Sequence, residues 1–235
     1  YFDNRRSTYM KSETNNIITI DGTSSSGKTT LSKILAKRLN FKLLDSGKLY
    51  RSVGFIASES SQLLHTIDNL DKLISGISLI ANNNTHEFEI FYKNNKIDHL
   101  LYHEDVGKAA SIVSKIPEVR KSMLDIQHTC ARGNNLIANG RDMGSEVFPN
   151  ATLKLYINAS LDVRAKRRFE ELVRKGEKVK YDDVFESLKN RDESDMNRAI
   201  SPLKIPHNAH IIDTSHLKPD AIVDKILNLY TITEN

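Results

Sequence analysis

Residues 17–39 read IITIDGTSSSGKTTLSKILAKRL. The opening run, Ile17 to Ile20, is short, apolar and β-branched and stops at Asp21 and Gly22, as a buried parallel strand does. Residues 28–39 set Leu31, Ile34, Leu35 and Leu39 at helical spacing, with Lys and Arg on the opposite face. Between strand and helix, Gly22, Thr23, Ser24, Ser25, Ser26, Gly27, Lys28 and Thr29 satisfy G-x-x-x-x-G-K-[ST] in the context its mechanism needs. Backbone N–H groups of such a loop, backed by the positive end of the helix, can surround the α- and β-phosphates of a nucleotide. Lys28, expected to stand exposed in the loop, can reach the β- and γ-oxygens, and the Thr29 hydroxyl can complete a Mg²⁺ shell. Gly22 to Thr30 are therefore the ATP-binding candidates.

Working outward, FKLLDSG (41–47) is a second short apolar run ending in turn residues, and LYRSVGFIA (49–57) reads as a helix. This β-α-β-α order argues for a parallel sheet. Residues 76–101 break the rhythm by alternating apolar and polar side chains around Asn94-Asn95, which predicts a small antiparallel insertion with a hairpin turn there. Helices are expected near 104–115 and from Pro117 to about Ala131, then strands LIAN (136–139) and KLYINA (154–159). A long charged helical segment, 161–198, is interrupted at Gly176, and the strand AHIIDT and helix PDAIVDKILNLY close the chain. Asn95-Lys96-Ile97-Asp98 spells the N-K-x-D of guanine readers, but it falls on the hairpin and is read as turn chemistry.

The chain has 235 residues, a formal net charge of +4 and one cysteine, Cys130. A lone cysteine excludes an internal disulfide framework and a Cys-rich zinc site, and it predicts a reducing, cytoplasmic setting. The basic excess is mild and dispersed, with no basic stripe or reader motif, so no nucleic-acid partner is expected. No apolar run approaches the roughly 20 residues of a membrane span, so no membrane partner is expected either. Residues 1–16 are set aside as a disordered or extraneous N-terminal segment.

Beyond the phosphate loop, the segments DSGKLYR (45–51), KAASIVSKIPEVR (108–120), NGRDMGSEVFPNA (139–151) and RDESDMNRAISPL (191–203) together resemble bacterial cytidylate kinase, from about Ile17 to the C-terminal helix. The resemblance implies an α/β P-loop kinase fold over 17–235 in three layers. A parallel five-stranded sheet would carry a nucleoside-monophosphate-binding insertion at about 71–105 and a short lid at about 164–185. It implies ATP-dependent phosphorylation of CMP, and of dCMP, by a monomer using Mg²⁺.

Residue by residue, the resemblance places Ser46 and Arg51 on the acceptor nucleotide, Arg51 on its phosphate, and Ser111 and Arg120 on the cytosine ring. Arg191 is placed on phosphates, Asp195 on the sugar and Arg198 at the nucleotide; their i, i+4, i+7 spacing would present one helix face. Arg164, Arg167 and Arg168 look like the arginine-bearing lid over ATP. Arg141 and Asp142 end the strand LIAN and should both face the crevice. Asp142 can orient the acceptor or help to hold Mg²⁺, and a structural ion pair within the turn is a third reading. Lys28, Arg141, Asp142 and Arg191 are the catalytic candidates. The chain departs from the family pattern at Thr23, Ser25 and Ser26 in the loop, at His128 and at Ser194.

Overall fold

The computed structural model describes residues 15–59 and 72–234. The expectations for residues 1–14 and for residue 71, where the insertion was placed to begin, lie outside the described residues. Eight strands and seven longer helices are formed among the described residues. They are β1 (Ile17–Gly22), α1 (Lys28–Leu39), β2 (Lys42–Asp45), α2 (Ser46–Glu59), β3 (Ile77–Ala81), β4 (Phe88–Tyr92), β5 (Asn95–Lys96), α3 (Glu104–Val113) and α4 (Pro117–Ala131). The remainder are β6 (Leu136–Asn139), β7 (Leu153–Asn158), α5 (Leu161–Arg174), α6 (Tyr181–Asn197), β8 (His210–Asp213) and α7 (Pro219–Glu234).

Five strands form one all-parallel sheet in the order β2-β6-β1-β7-β8. β1 is central and buried on both faces: Ile18 and Ile20 pack on one face with Leu31 and Leu35 of α1, Leu155, Ile212, and Ile222 and Ile226 of α7, while the alternating Thr19 and Asp21 are fully buried on the other. α1 ends at Asn40, which takes a left-handed conformation (φ 56°) and returns its N–H to the Ala36 carbonyl. β1 ends at Gly22, where φ is 141° and a Cβ would lie 1.9 Å from the Ile157 carbonyl oxygen, so only glycine fits beside β7. The carboxyl ends of β1, β2, β6 and β7 open on one crevice, the place where open α/β sheets take ligands.

The alternating segment folds as a separate antiparallel sheet, β3-β4-β5. Its tight turn is Lys93-Asn94, one residue earlier than the predicted Asn94-Asn95. Both residues have positive φ (48° and 67°), and Tyr92 pairs with Asn95, which is the primed two-residue geometry of a hairpin. Asp98 of the N-K-x-D string caps this sheet, accepting from the Ile90 N–H at 2.9 Å and pairing with Lys48, so the string serves the turn. α2 begins at Ser46, three residues before the predicted start, directly after β2. The charged segment divides into α5 and α6 around Gly176. The two helices pack through Ala165, Leu172, Val184 and Leu188. No helix among the described residues is long and apolar enough to cross a membrane.

Candidate active site

The phosphate loop is braced from three elements. Arg164 of α5 donates to the Ser24 carbonyl at 3.2 Å, the Thr214 hydroxyl donates to the Ser26 carbonyl at 2.9 Å, and the Thr23 hydroxyl donates to Oδ1 of Asn158 at 3.1 Å. The expectation for Lys28 requires correction: it is buried, 6 % exposed, at the first turn of α1, and its ammonium donates to the Thr23 carbonyl. Burial first, then the charge of Arg141, pushes the Lys28 amine well below its ordinary range, with Asp21 opposing. An anionic ligand would relieve both the desolvation and the repulsion. Thr29 and Thr30 are exposed, and the Thr29 hydroxyl accepts from Asn139 Nδ2 at 3.3 Å.

Among the described residues no three His, Cys, Asp or Glu side chains come together to hold a metal ion. The donor set near Thr29 fits Mg²⁺ nevertheless: Asn139 Oδ1 is buried without a hydrogen-bond partner beside that hydroxyl, and Mg²⁺ typically takes one or two protein oxygens plus phosphate oxygens and water.

Arg141 and Asp142 diverge. Arg141 Nε meets Asp195 Oδ2 at 2.8 Å, and its Nη2 donates to Ser24 Oγ at 3.1 Å, linking β6 to α6 and to the loop. Asp142, 2 % exposed, pairs with Arg120 of α4 and lies 3.8 Å from Nη2 of Arg198. The ion pair within the turn is therefore not formed; the two charges serve different partners. Arg120 also donates to the Ser114 carbonyl at 3.2 Å, and its guanidinium carbon lies 5.5 Å from the ring centre of Tyr50. Ser111, half-buried on α3, is linked to this group because its carbonyl accepts from the Ser114 hydroxyl at 3.0 Å.

Ser46 is buried at the start of α2. Arg51, one and a half turns on, donates to the Leu101 and His103 carbonyls at 3.0 and 3.3 Å, so it bridges α2 and the segment leading into α3. Arg191 is exposed and within electrostatic reach of Arg141, Asp195, Arg51 and Arg168. Arg198 stands just past the last turn of α6 and donates to the Ser201 carbonyl, so only Arg191 and Asp195 share the helical face predicted for all three.

The three arginines expected in a lid do not act alike. Arg164 is buried, 2.5 Å from Asp192 and 2.9 Å from the Ala159 carbonyl; Arg167 donates to the Thr214 hydroxyl and carbonyl; Arg168 meets Glu171 on the surface. Two of them hold the loop's surroundings together. Sequence reasoning missed Asp192, Tyr50, Thr214 and Asn139, which sit within or next to segments it singled out, and it read Asp21 only as a turn residue.

The family model described as cytidylate kinase matches residues 18–232. The chain belongs to the cytidylate kinase family. It is similar to the cytidylate kinase of Vibrio cholerae, 38 % identical over 213 residues that cover 90 % of this chain and 94 % of that one. It is also similar to the cytidylate kinase of Pasteurella multocida, 39 % identical over 212 residues covering 90 % and 93 %. Among solved structures, an uncharacterised protein from Eubacterium ventriosum superposes with a TM-score of 0.52 at 14 % identity over 92 % of this chain and 99 % of that one, a likeness of fold alone. Cytidylate kinase family membership agrees with the parallel five-stranded sheet and its loop after β1.

Proposed function

We propose that this chain transfers the γ-phosphoryl group of ATP to CMP, and to dCMP, giving ADP and CDP or dCDP. The observation that carries this reading is the buried Arg120–Asp142 pair beside Tyr50, joined through Ser114 to Ser111. It supplies a donor and an acceptor for a base, one short segment away from the cation cluster of Lys28, Arg141 and Arg191. In the reaction an anionic oxygen of the CMP phosphate attacks the γ-phosphorus, and the bond from that phosphorus to the β–γ bridging oxygen breaks. The nucleophile is already ionised, so no strong general base is required.

The chain's own residues position and neutralise. Backbone N–H groups of Gly22–Thr30 cradle the donor phosphates, while Lys28, Arg141 and Arg191 meet the transferring group. Ser46 and Arg51 hold the acceptor nucleotide and its phosphate, Ser111, Arg120 and Asp142 meet the base, and Asp195 and Arg198 meet the sugar side. Mg²⁺ entering with ATP would neutralise the β- and γ-oxygens, with the Thr29 hydroxyl as the protein's ligand. The region about β3–β5 serves the acceptor, and the α5–α6 connection closes as a lid that excludes water. The enzyme works as a cytoplasmic monomer.

The test is a panel of acceptors, CMP, dCMP, UMP, AMP and shikimate, each with ATP and Mg²⁺, read as ADP formation. CMP and dCMP are expected to lead. A preference for AMP or shikimate, or no turnover with any acceptor, overturns the reading.

A further inference from the structure

Asp21 lies at the end of β1, one residue before the phosphate loop, and is fully buried. Its two carboxylate oxygens accept from two successive backbone N–H groups on a distant segment: Oδ1 from Met143 at 2.8 Å and Oδ2 from Gly144 at 2.7 Å. These residues begin a single π-helical turn, Met143–Val147, closed by bonds from Val147 and Phe148 to the Asp142 and Met143 carbonyls. Asp142 is the residue from which the turn starts. Gly144 has no side chain to spare, since a Cβ there would lie 2.7 Å from Thr19 Oγ1 on β1. A third bond, Gly140 N–H to the Ile20 carbonyl at 3.0 Å, runs between the same two segments. The carboxylate thus seats the Asp142 turn against the strand that carries the loop.

We infer that Asp21 is a positioning residue for phosphoryl transfer, coupling the phosphate loop to the Asp142–Arg120 pair by gripping the turn that Asp142 starts. This rests on the function proposed above. Asp21 is fully buried with both carboxylate oxygens taken by backbone N–H groups, so it acts through Asp142. The charged and titratable groups around it are Lys28 at the start of α1, Asp142 in the turn and Tyr156 opposite on β7. Burial raises the Asp21 carboxyl to about 6, against the two backbone bonds, so mild acid can convert one accepting oxygen into a hydroxyl that no longer fits an N–H. Asp21→Asn does the same at every pH.

The experiment follows the Met143 and Gly144 amide resonances of the wild-type protein from pH 4.5 to 8 and in Asp21→Asn, with ADP and CMP binding measured by calorimetry and kcat/KM measured across the same range. Both amides should move with one midpoint near 6, and the variant should abolish that movement. CMP affinity and kcat/KM should fall tenfold or more in the variant, while ADP affinity stays within about threefold. Met143 and Gly144 amides that stay unmoved both across this pH range in the wild type and in Asp21→Asn overturn the grip. An equal loss of ADP and CMP binding makes Asp21 merely structural and overturns the coupling. So does an acid limb in kcat/KM that persists unchanged in the variant, since that limb then belongs to the nucleotide phosphate. A wild-type protein that binds ADP but neither binds nor phosphorylates CMP sinks the proposed function, while the amide titration still decides the grip.

Discussion

Arg141 and Asp195, 54 positions apart in the chain, meet at 2.8 Å, and the same guanidinium reaches Ser24 Oγ at 3.1 Å. Arg141 therefore stands between loop, sheet and α6. A lysine's compact ammonium lacks the planar guanidinium whose Nε and Nη2 reach Asp195 and Ser24 from separate atoms. Arg141→Lys should lower kcat/KM for CDP formation by about 100-fold or more and destabilise the fold by about 1–2 kcal/mol. Steady-state kinetics and urea unfolding check both, and a double-mutant cycle with Asp195→Asn should return a coupling of about 1–3 kcal/mol. Additive single effects would show that the pair is incidental.

Lys28 is buried among cations, so removing its charge should separate stability from activity. Lys28→Met is expected to cut phosphoryl transfer by about 10³-fold or more. Its thermal midpoint without nucleotide should hold or rise, because a buried ammonium beside Arg141 costs desolvation that a methionine does not. Turnover near the wild-type rate from the folded variant would refute the loop's role.

Arg120 should discriminate CMP from UMP. Cytosine offers acceptors at N3 and O2, whereas uracil carries a proton at N3 that would face a guanidinium able only to donate. The lost bond and the unpaired donor amount to about 2–4 kcal/mol, or about 30- to 1,000-fold in kcat/KM. In Arg120→Ala the CMP/UMP ratio should shrink towards one. A fall in CMP activity at constant ratio would assign Arg120 to holding Asp142 alone.

Two carboxylates should bend the pH dependence of stability in opposite senses. Burial alone would raise Asp195, but the charge and hydrogen bond of Arg141 outweigh it and hold the carboxyl below its usual range. Its contribution is present above about pH 4 and is lost as pH falls through the lower folded value. Asp21, raised to about 6 by burial, ionises later in the folded state than in the unfolded one. Stability should therefore fall by up to about 3 kcal/mol as pH rises from about 4 to about 6, then level off. Urea unfolding from pH 3 to 8 should show this decline disappear in Asp21→Asn and the acid-side loss disappear in Asp195→Asn.

Hydrogen exchange should divide the segment proposed as a lid. Arg164 is tied to Ser24, Ala159 and Asp192, so the first turns of α5 should be protected with or without nucleotides. Residues 168–185, which lie beyond these ties, should gain protection when CMP and a non-hydrolysable ATP analogue bind. Uniform protection throughout 161–185 in both states would remove the lid.

Most of the fold was legible because its signals are local. Ile17–Ile20, Leu136–Asn139 and the α1 and α4 spans declare themselves by apolar runs, helical spacing and a first-turn proline, and the structure keeps those spans to within a residue or two. The hairpin turn slipped by one residue because Lys93-Asn94 and Asn94-Asn95 are both acceptable turn pairs, and the Tyr92–Asn95 pairing decides between them. At the site, residue types were readable but partners were not. Nothing near Arg141 in the chain points to Asp195, and nothing near Asp142 points to Arg120; those choices depend on how α4 and α6 cross the sheet. Lys28 was expected to stand exposed and Arg164 to belong to the lid over ATP because charge is normally outside, and the buried acceptors that pay for them, Asp192 and the loop carbonyls, come from other elements.

The central position of β1 has a consequence for how the molecule is made. Its neighbours are residues 136–139 and 153–157, so the strand that launches the phosphate loop is synthesised more than a hundred residues before either flank arrives. During that interval Ile18 and Ile20 have no sheet to join, and a folding route dominated by such distant pairings is slow and exposed to aggregation. A nascent chain halted before Leu153 already contains every residue of the loop from Gly22 to Thr30, yet it lacks β7, Arg164 and Thr214, which brace that loop. Nucleotide affinity should therefore appear late and abruptly during synthesis, with the addition of β7, α5 and the β8 end.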